Sequence, residues 1–219
     1  MARPTRWVTD TDDNHSQWYI ERFRTMAAEG ADLGGEARLL DAMLPPRSRV
    51  LDAGCGPGRV GARLFDRGHH VVGVDADPQL IAAARQDHPG PRWCVGDLAE
   101  LDLWGQGIDD PFDAAVLAGN VMTFVAVGTE AEVLRRVGEH VVADGIVVVG
   151  FGTDRGYSLE SFDEDVRSAG LKVEQRFATW DLRPWSDSAG FAVSVLRVPE
   201  SKASDTLESA GTTREGLCP

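Results

Sequence analysis

The ten residues Val50-Leu51-Asp52-Ala53-Gly54-Cys55-Gly56-Pro57-Gly58-Arg59 leave this chain little choice of architecture. Arg49, Val50 and Leu51 begin an apolar segment that reads as a buried strand, and Val60 to Asp66 open a helix. Gly54, Gly56 and Gly58 make the turn between them. Glycine takes backbone angles that a Cβ forbids and lets the main chain approach a ligand closely. The helix start behind the turn offers free N–H groups to a negatively charged group. Strand, glycine turn and helix in that order make a ligand cradle at the carboxyl end of a strand, the usual binding place in open α/β sheets.

Spacing narrows the ligand. Gly54 and Gly56 fit the G-x-G-x-x-G dinucleotide pattern, but Arg59 stands where its third glycine belongs. The pattern present is Asp52-x-Gly54-x-Gly56-x-Gly58. Three more segments follow in order: Val71-Val72-Gly73-Val74-Asp75, a strand ending in an acid; Trp93-Cys94-Val95-Gly96-Asp97-Leu98; and Phe112-Asp113-Ala114-Ala115-Val116-Leu117. Together the four segments resemble the class I, Rossmann-like S-adenosylmethionine-dependent methyltransferases, in a bacterial branch of small-molecule type. The resemblance covers roughly residues 35–198.

That resemblance implies an α/β fold: a seven-stranded, mostly parallel sheet with antiparallel strand seven, helices on both faces and an N-terminal helical cap. It implies S-adenosylmethionine as cofactor, with Asp52, Ala53, Gly54, Cys55, Gly56 and Gly58 at the glycine turn. Asp75 and Ala76 then meet the ribose, whose hydroxyls a carboxylate accepts. Asp97 meets the adenine amino group and Leu98 gives its N–H to the ring, while Asn120 faces the methionine part or the acceptor. Helices ahead of the turn fold over the cofactor as a lid in that family, which makes Tyr19, Arg22 and Phe23 candidates for contact. Plainer readings stand beside these. Asp97 can cap the Leu98–Leu101 turn, the lid helix can simply pack on the sheet, and Trp180 and Trp185 can line a substrate mouth or pack at the sheet edge.

Along the chain, the pattern predicts an N-terminal arm over residues 1–14 and a helix over 16–28 with Ser16 as N-cap and Trp18, Tyr19, Phe23 and Met26 near one face. A second helix follows over 35–43 with Ala37, Leu39, Leu40 and Met43 inward. After the glycine turn come strands over 69–75, 92–95, 112–118, 146–150, 171–181 and 191–198. Helices over 59–66, 78–85, 129–140 and 158–169 alternate with them, and 102–111 reads as a loop. This divides the chain into a helical cap, 1–44, a cofactor-binding domain, 45–198, and a disordered tail, 199–219.

Charge and cysteine use restrict the function classes. A formal net charge of −13 lowers the expectation of a nucleic-acid substrate, since such binders present a basic face. Three separated cysteines make neither a disulfide framework nor a zinc site. Asp10, Asp12 and Asp13 lack metal-ligand spacing, so no metal is expected. No apolar run approaches a membrane span, so the chain reads as cytoplasmic, a monomer or homodimer acting on a small-molecule acceptor. Methyl transfer needs a base only if the acceptor must lose a proton, so no catalytic residue is assigned. His15, Tyr19 and Asn120 are the ones to test. The competing readings are a nicotinamide-dependent reductase, a non-catalytic S-adenosylmethionine-binding regulator or scaffold, and a protein methyltransferase. Arg59 and the lack of a Tyr-x-x-x-Lys pair disfavour the reductase.

Overall fold

The computed structural model describes residues 3–12 and 14–200. The tail expected from 199 lies outside the described residues from 201 onward. Seven strands, β1 (Arg49–Ala53), β2 (His70–Asp75), β3 (Arg92–Val95), β4 (Phe112–Leu117), β5 (Val141–Gly152), β6 (Lys172–Phe177) and β7 (Phe191–Arg197), form one sheet in the order β3-β2-β1-β4-β5-β7-β6. The first five run parallel, and β7 lies antiparallel between β5 and β6. The helices are α1 (Arg6–Thr9), α2 (His15–Ala28), α3 (Gly35–Met43), α4 (Arg59–Asp66), α5 (Pro78–Asp87), α6 (Val121–Phe124), α7 (Glu130–Glu139) and α8 (Leu159–Ser168).

The period-two alternation of strand side chains builds two cores. Val50, Val71, Val116 and Val148 point to one face, against Leu39 and Leu40 of α3 and Val60 and Leu64 of α4. Leu51, Val72, Leu117 and Val149 point to the other, against Val133, Leu134 and Val137 of α7 and Phe162 and Val166 of α8. Each such fully buried aliphatic side chain contributes about 1.5–3 kcal/mol relative to exposure. Helix starts follow local chemistry. Asp77 accepts the Gln79 N–H (2.7 Å) ahead of Pro78 at the first helical position of α5, and Ser158 accepts the Ser161 N–H (3.0 Å) ahead of α8.

The structure corrects several sequence expectations. The N-terminal arm contains α1, because Trp7 finds aromatic partners that pull it inward. Ser16 does not cap α2; Asn14 precedes the helix, and the Ser16 hydroxyl donates to Asp77 instead. Trp18 is 52% exposed and Met43 38%, while Ile20 is the buried residue of α2. The 102–111 loop carries a 3-10 turn, Trp104–Gln106, nucleated by Asp102 accepting the Gly105 N–H at 2.9 Å. Strand β5 reaches from Val141 to Gly152, since β7 pairs along it to Gly152. Strand β6 stops at Phe177, where Pro184 folds back to bridge it. No helix among the described residues is long and apolar enough to cross a membrane.

Candidate active site

A cavity of about 450 Å³ opens at the carboxyl ends of β1, β2 and β4. Its floor is the glycine turn. Gly54 sits at φ 79°, and a Cβ there would overlap the Val121 side chain, so only glycine fits. Its far wall is the end of β2. The Asp75 carboxylate accepts the Gly56 N–H at 2.8 Å through Oδ2 and the Asp77 N–H at 2.9 Å through Oδ1. Two backbone donors thereby fix its orientation, and each oxygen keeps a further acceptor site for a ligand hydroxyl. Burial raises the Asp75 pKa to about 6 against the opposing effect of those N–H groups. At the end of β3, Asp97 caps the Leu98–Glu100 turn by accepting the Ala99 N–H (2.9 Å) through Oδ1. The plain reading of Asp97 is therefore realised, and Asp97 and the buried Leu98 still line the cavity.

The roof comes from the N-terminus: Thr5, Trp7, Val8, Thr11, Asp12, Ser16 and Tyr19 all line the cavity. Two latches hold this strap across it. On the β2 side the Trp7 indole N–H and the Ser16 hydroxyl both donate to Asp77 Oδ2, the former at 2.9 Å. On the opposite side Arg6 donates to the Val125 carbonyl (3.2 Å) and the Met122 carbonyl (3.4 Å), with Glu130 at 3.6 Å. Trp7 meets Tyr19 and Phe124 edge-to-face, with ring centroids 5.3 and 5.2 Å away.

Behind Tyr19 lies a second space of about 30 Å³, lined by Asp52, Cys55, Gly56, Arg59 and Gly119 among others. It is large enough for one water. Burial pushes the Asp52 carboxyl up to about 7; its one backbone partner, the Gly61 N–H at 2.8 Å, ties β1 to α4. Arg59 is clamped to Glu36 at 2.6 and 2.8 Å and to the Leu33 carbonyl at 2.9 Å. Burial raises the Glu36 pKa, and the guanidinium more than offsets this, leaving it below the usual range. The residue in the third-glycine position is thus the rivet between α3 and α4. Burial also raises the Tyr19 pKa, so its hydroxyl stays protonated at neutral pH.

Of the residues singled out from the sequence, Tyr19, Gly54, Gly56, Asp75, Ala76, Asp97 and Leu98 meet in the main cavity, and Phe23, Asp52 and Cys55 border the small one. Ala53 and Gly58 line neither space. Ala53 is in the sheet core, and Gly58 (φ 86°) backs onto Trp93. Arg22 is exposed, its guanidinium 5.4 Å from the Trp18 ring. Asn120 is turned away from both spaces. At φ 69° it starts α6, and its Oδ1 accepts the Gly152 N–H at 2.7 Å, a β4–β5 stitch. His15 lies among Trp7 and Trp18 rather than on the cavity wall. Trp180 packs in the sheet core over Gly150, and Trp185 lies 6.0 Å from the Arg176 guanidinium; neither lines the cavity. Sequence reasoning missed the places of Trp7, Phe124 and Asp77 in the site. A lone tryptophan in a polar arm was the available signal. Among the described residues, no group of three or more His, Cys, Asp or Glu is placed to hold a metal.

The comparisons with known proteins agree with this geometry. A family model described as a methyltransferase domain matches residues 50–145. The structure of a TehB-like S-adenosylmethionine-dependent methyltransferase from Corynebacterium glutamicum is 43% identical, covers 85% of this chain and 99% of its own, and superposes with a TM-score of 0.79. Ribosomal protein L11 methyltransferase of Marinobacter nauticus is 36% identical over 49% of this chain and 36% of its own length. Malonyl-[acyl-carrier protein] O-methyltransferase of Pectobacterium atrosepticum is 36% identical over 33% and 29%. The match thus spans about a third of these curated relatives. The cofactor of such enzymes, S-adenosylmethionine, suits what the site offers: a cradle that a Cβ at Gly54 would fill and an oriented carboxylate with acceptor capacity to spare. On the relative that matches over almost its whole length, this chain belongs to the S-adenosylmethionine-dependent methyltransferases.

Proposed function

We propose that this chain transfers a methyl group from S-adenosylmethionine to a small-molecule acceptor. The observation that carries the reading is Asp75, aimed by two backbone N–H groups over a roofed cavity at the end of β2. S-adenosylmethionine supplies an already activated methyl group. The protein's share is therefore to bind, to align and to exclude water. Alignment alone is worth about 7–11 kcal/mol in the best intramolecular cases.

In this reading Asp75 accepts the ribose hydroxyls, Asp97 the adenine amino group through its other oxygen, and the Gly54–Gly56 backbone passes beneath. Asp52 and Tyr19 border the small space and take the amino-acid end, with Tyr19 shifting to join the two spaces. Residues 1–44 act as a cap on a domain spanning 45–198. The strap favours a small acceptor, because Thr5, Trp7, Val8, Thr11, Asp12, Ser16 and Tyr19 line the cavity and narrow the approach of a folded protein or a nucleic-acid helix. The likeness to a ribosomal-protein methyltransferase favours a protein acceptor instead, and the strap argues against it.

Calorimetric titration with S-adenosylhomocysteine, with NADH in parallel, tests the cofactor assignment. Binding of the former alone, weakened at least about tenfold in Asp75→Ala by loss of charge-assisted hydrogen bonds, supports it. No binding of S-adenosylhomocysteine, or equal binding by the variant, overturns it.

A further inference from the structure

We propose that the acceptor is an amine, received at the end of the cavity lined by Thr5, Trp7, Val8, Asp12, Phe124 and Val125. This rests on the methyl-transfer reading above. Charge is the first argument. Among the described residues, the ionisable side chains lining the cavity, apart from Tyr19, are Asp12, Asp75, Asp77 and Asp97, with no lysine, arginine or histidine. The neighbouring guanidiniums are committed elsewhere, Arg6 to two carbonyls and Glu130, Arg59 to Glu36 and Leu33. A carboxylate or phosphate acceptor would enter without a counter-charge and lose its hydration. An ammonium group would meet one.

The four acids are not equivalent. Asp75 and Asp97 stand at the end assigned to the nucleoside. Asp77 is spent on Trp7, Ser16 and the Gln79 N–H. Among the described residues Asp12 accepts one hydrogen bond, from the Asn14 N–H (2.9 Å) through Oδ1, and it is exposed. It has both the acceptor capacity and the route to water that a proton acceptor needs. The aromatic lining of the same cavity is the second argument. Trp7 and Phe124, at right angles with centroids 5.2 Å apart, give aromatic surface on two sides, which attracts cations. Thr5 lines the same cavity, with its Oγ1 enclosed behind the wall.

The step balances as follows. The acceptor enters as ammonium, gives one proton to the Asp12 carboxylate and through it to water, and becomes a neutral amine. Its nitrogen lone pair forms the new N–C bond as the methyl–sulfur bond breaks, and that bonding pair stays on sulfur. The positive charge passes from sulfur to the methylated nitrogen.

Calorimetry on the full chain saturated with S-adenosylhomocysteine compares phenethylamine with hydrocinnamate, two probes of similar shape and opposite charge. The amine should bind at least about tenfold tighter, the scale of one partly desolvated charge contact. Asp12→Asn should cut that ratio to about twofold and leave S-adenosylhomocysteine affinity as it was. Steady-state assays with S-adenosylmethionine should show S-adenosylhomocysteine release with the amine and none with the carboxylate. Equal or tighter binding of hydrocinnamate, binding of neither probe, or an unchanged ratio in Asp12→Asn overturns the amine assignment while the methyl-transfer reading stands. Failure of S-adenosylhomocysteine to bind overturns both.

Discussion

Asp75 and Asp52 stand on neighbouring strands, are both pushed up by burial, and respond to pH in different ways. Asp75 must be ionised to accept two ribose hydroxyls, and its pKa is about 6. S-adenosylhomocysteine affinity is therefore expected to be flat above neutrality and to fall by about tenfold per unit well below pH 6, read by calorimetry across that range. Asp52 bears on the fold as well as on the ligand. Its carboxyl titrates near 7 when folded and about 4 when unfolded, so in that window the folded chain holds a proton the unfolded chain lacks. Stability then falls as pH rises through the window. Asp52→Asn keeps an acceptor for the Gly61 N–H and removes the charge, so urea unfolding should show it about 1–2 kcal/mol more stable at pH 8, with the gain gone at pH 4. A variant less stable than the parent at pH 8 would contradict this. Both acids were legible from motif spacing. Which of them faces the main cavity was not, because it depends on whether the carboxylate points under α4 or over the turn.

Elements whose signals are local were read closely: α3 at its observed bounds, β1 at its start, α4 at its start and stop, and α5 at its start. The strap of α1 and the start of α2 was not, because its determinants are far apart in sequence. Trp7 meets Asp77 70 residues away, and Arg6 meets Val125 119 away. Asn120 misled for the same reason, its amide being held by Gly152. The strap buries nothing within α1, which places it at the low-stability end of the molecule. Trp7→Ala removes an indole donor to Asp77 and three aromatic contacts, with His15, Tyr19 and Phe124. Hydrogen exchange at the first turn of α2 should then quicken, and S-adenosylhomocysteine should dissociate at least about tenfold faster, with the core amides unchanged. A second junction is tighter. His140 Nε2 accepts the Leu103 N–H (3.1 Å) and Nδ1 faces the Arg136 carbonyl (2.7 Å), which fixes the proton on Nδ1. His140→Ala leaves a buried donor without a partner and is expected to cost about 1–3 kcal/mol by urea unfolding, beyond the packing lost with Trp104 stacked at 4.1 Å.

For the molecule as a whole, the parallel five-strand run with its antiparallel return was legible because four motif segments fix the strand sequence. The polarity of β7 followed from the family resemblance rather than from its residues. If the strap and the sheet ends close on one ligand, binding stabilises the entire fold. S-adenosylhomocysteine at a hundred times its dissociation constant should add about 2.7 kcal/mol and raise Tm by about 5–10 °C, measured by calorimetric scanning. The sheet's two open flanks have a consequence of another kind. On one, β3 is four residues long and begins at Arg92. On the other, β6 carries Lys172, Glu174 and Arg176 and an irregular register between Val173 and Gln175. A short strand and a charged, interrupted one make poor templates for strand addition, so copies of this chain are guarded against joining edge to edge into fibres. Any assembly they form is expected to use helical faces, and replacing Lys172 and Glu174 with valine is the change that would invite aggregation.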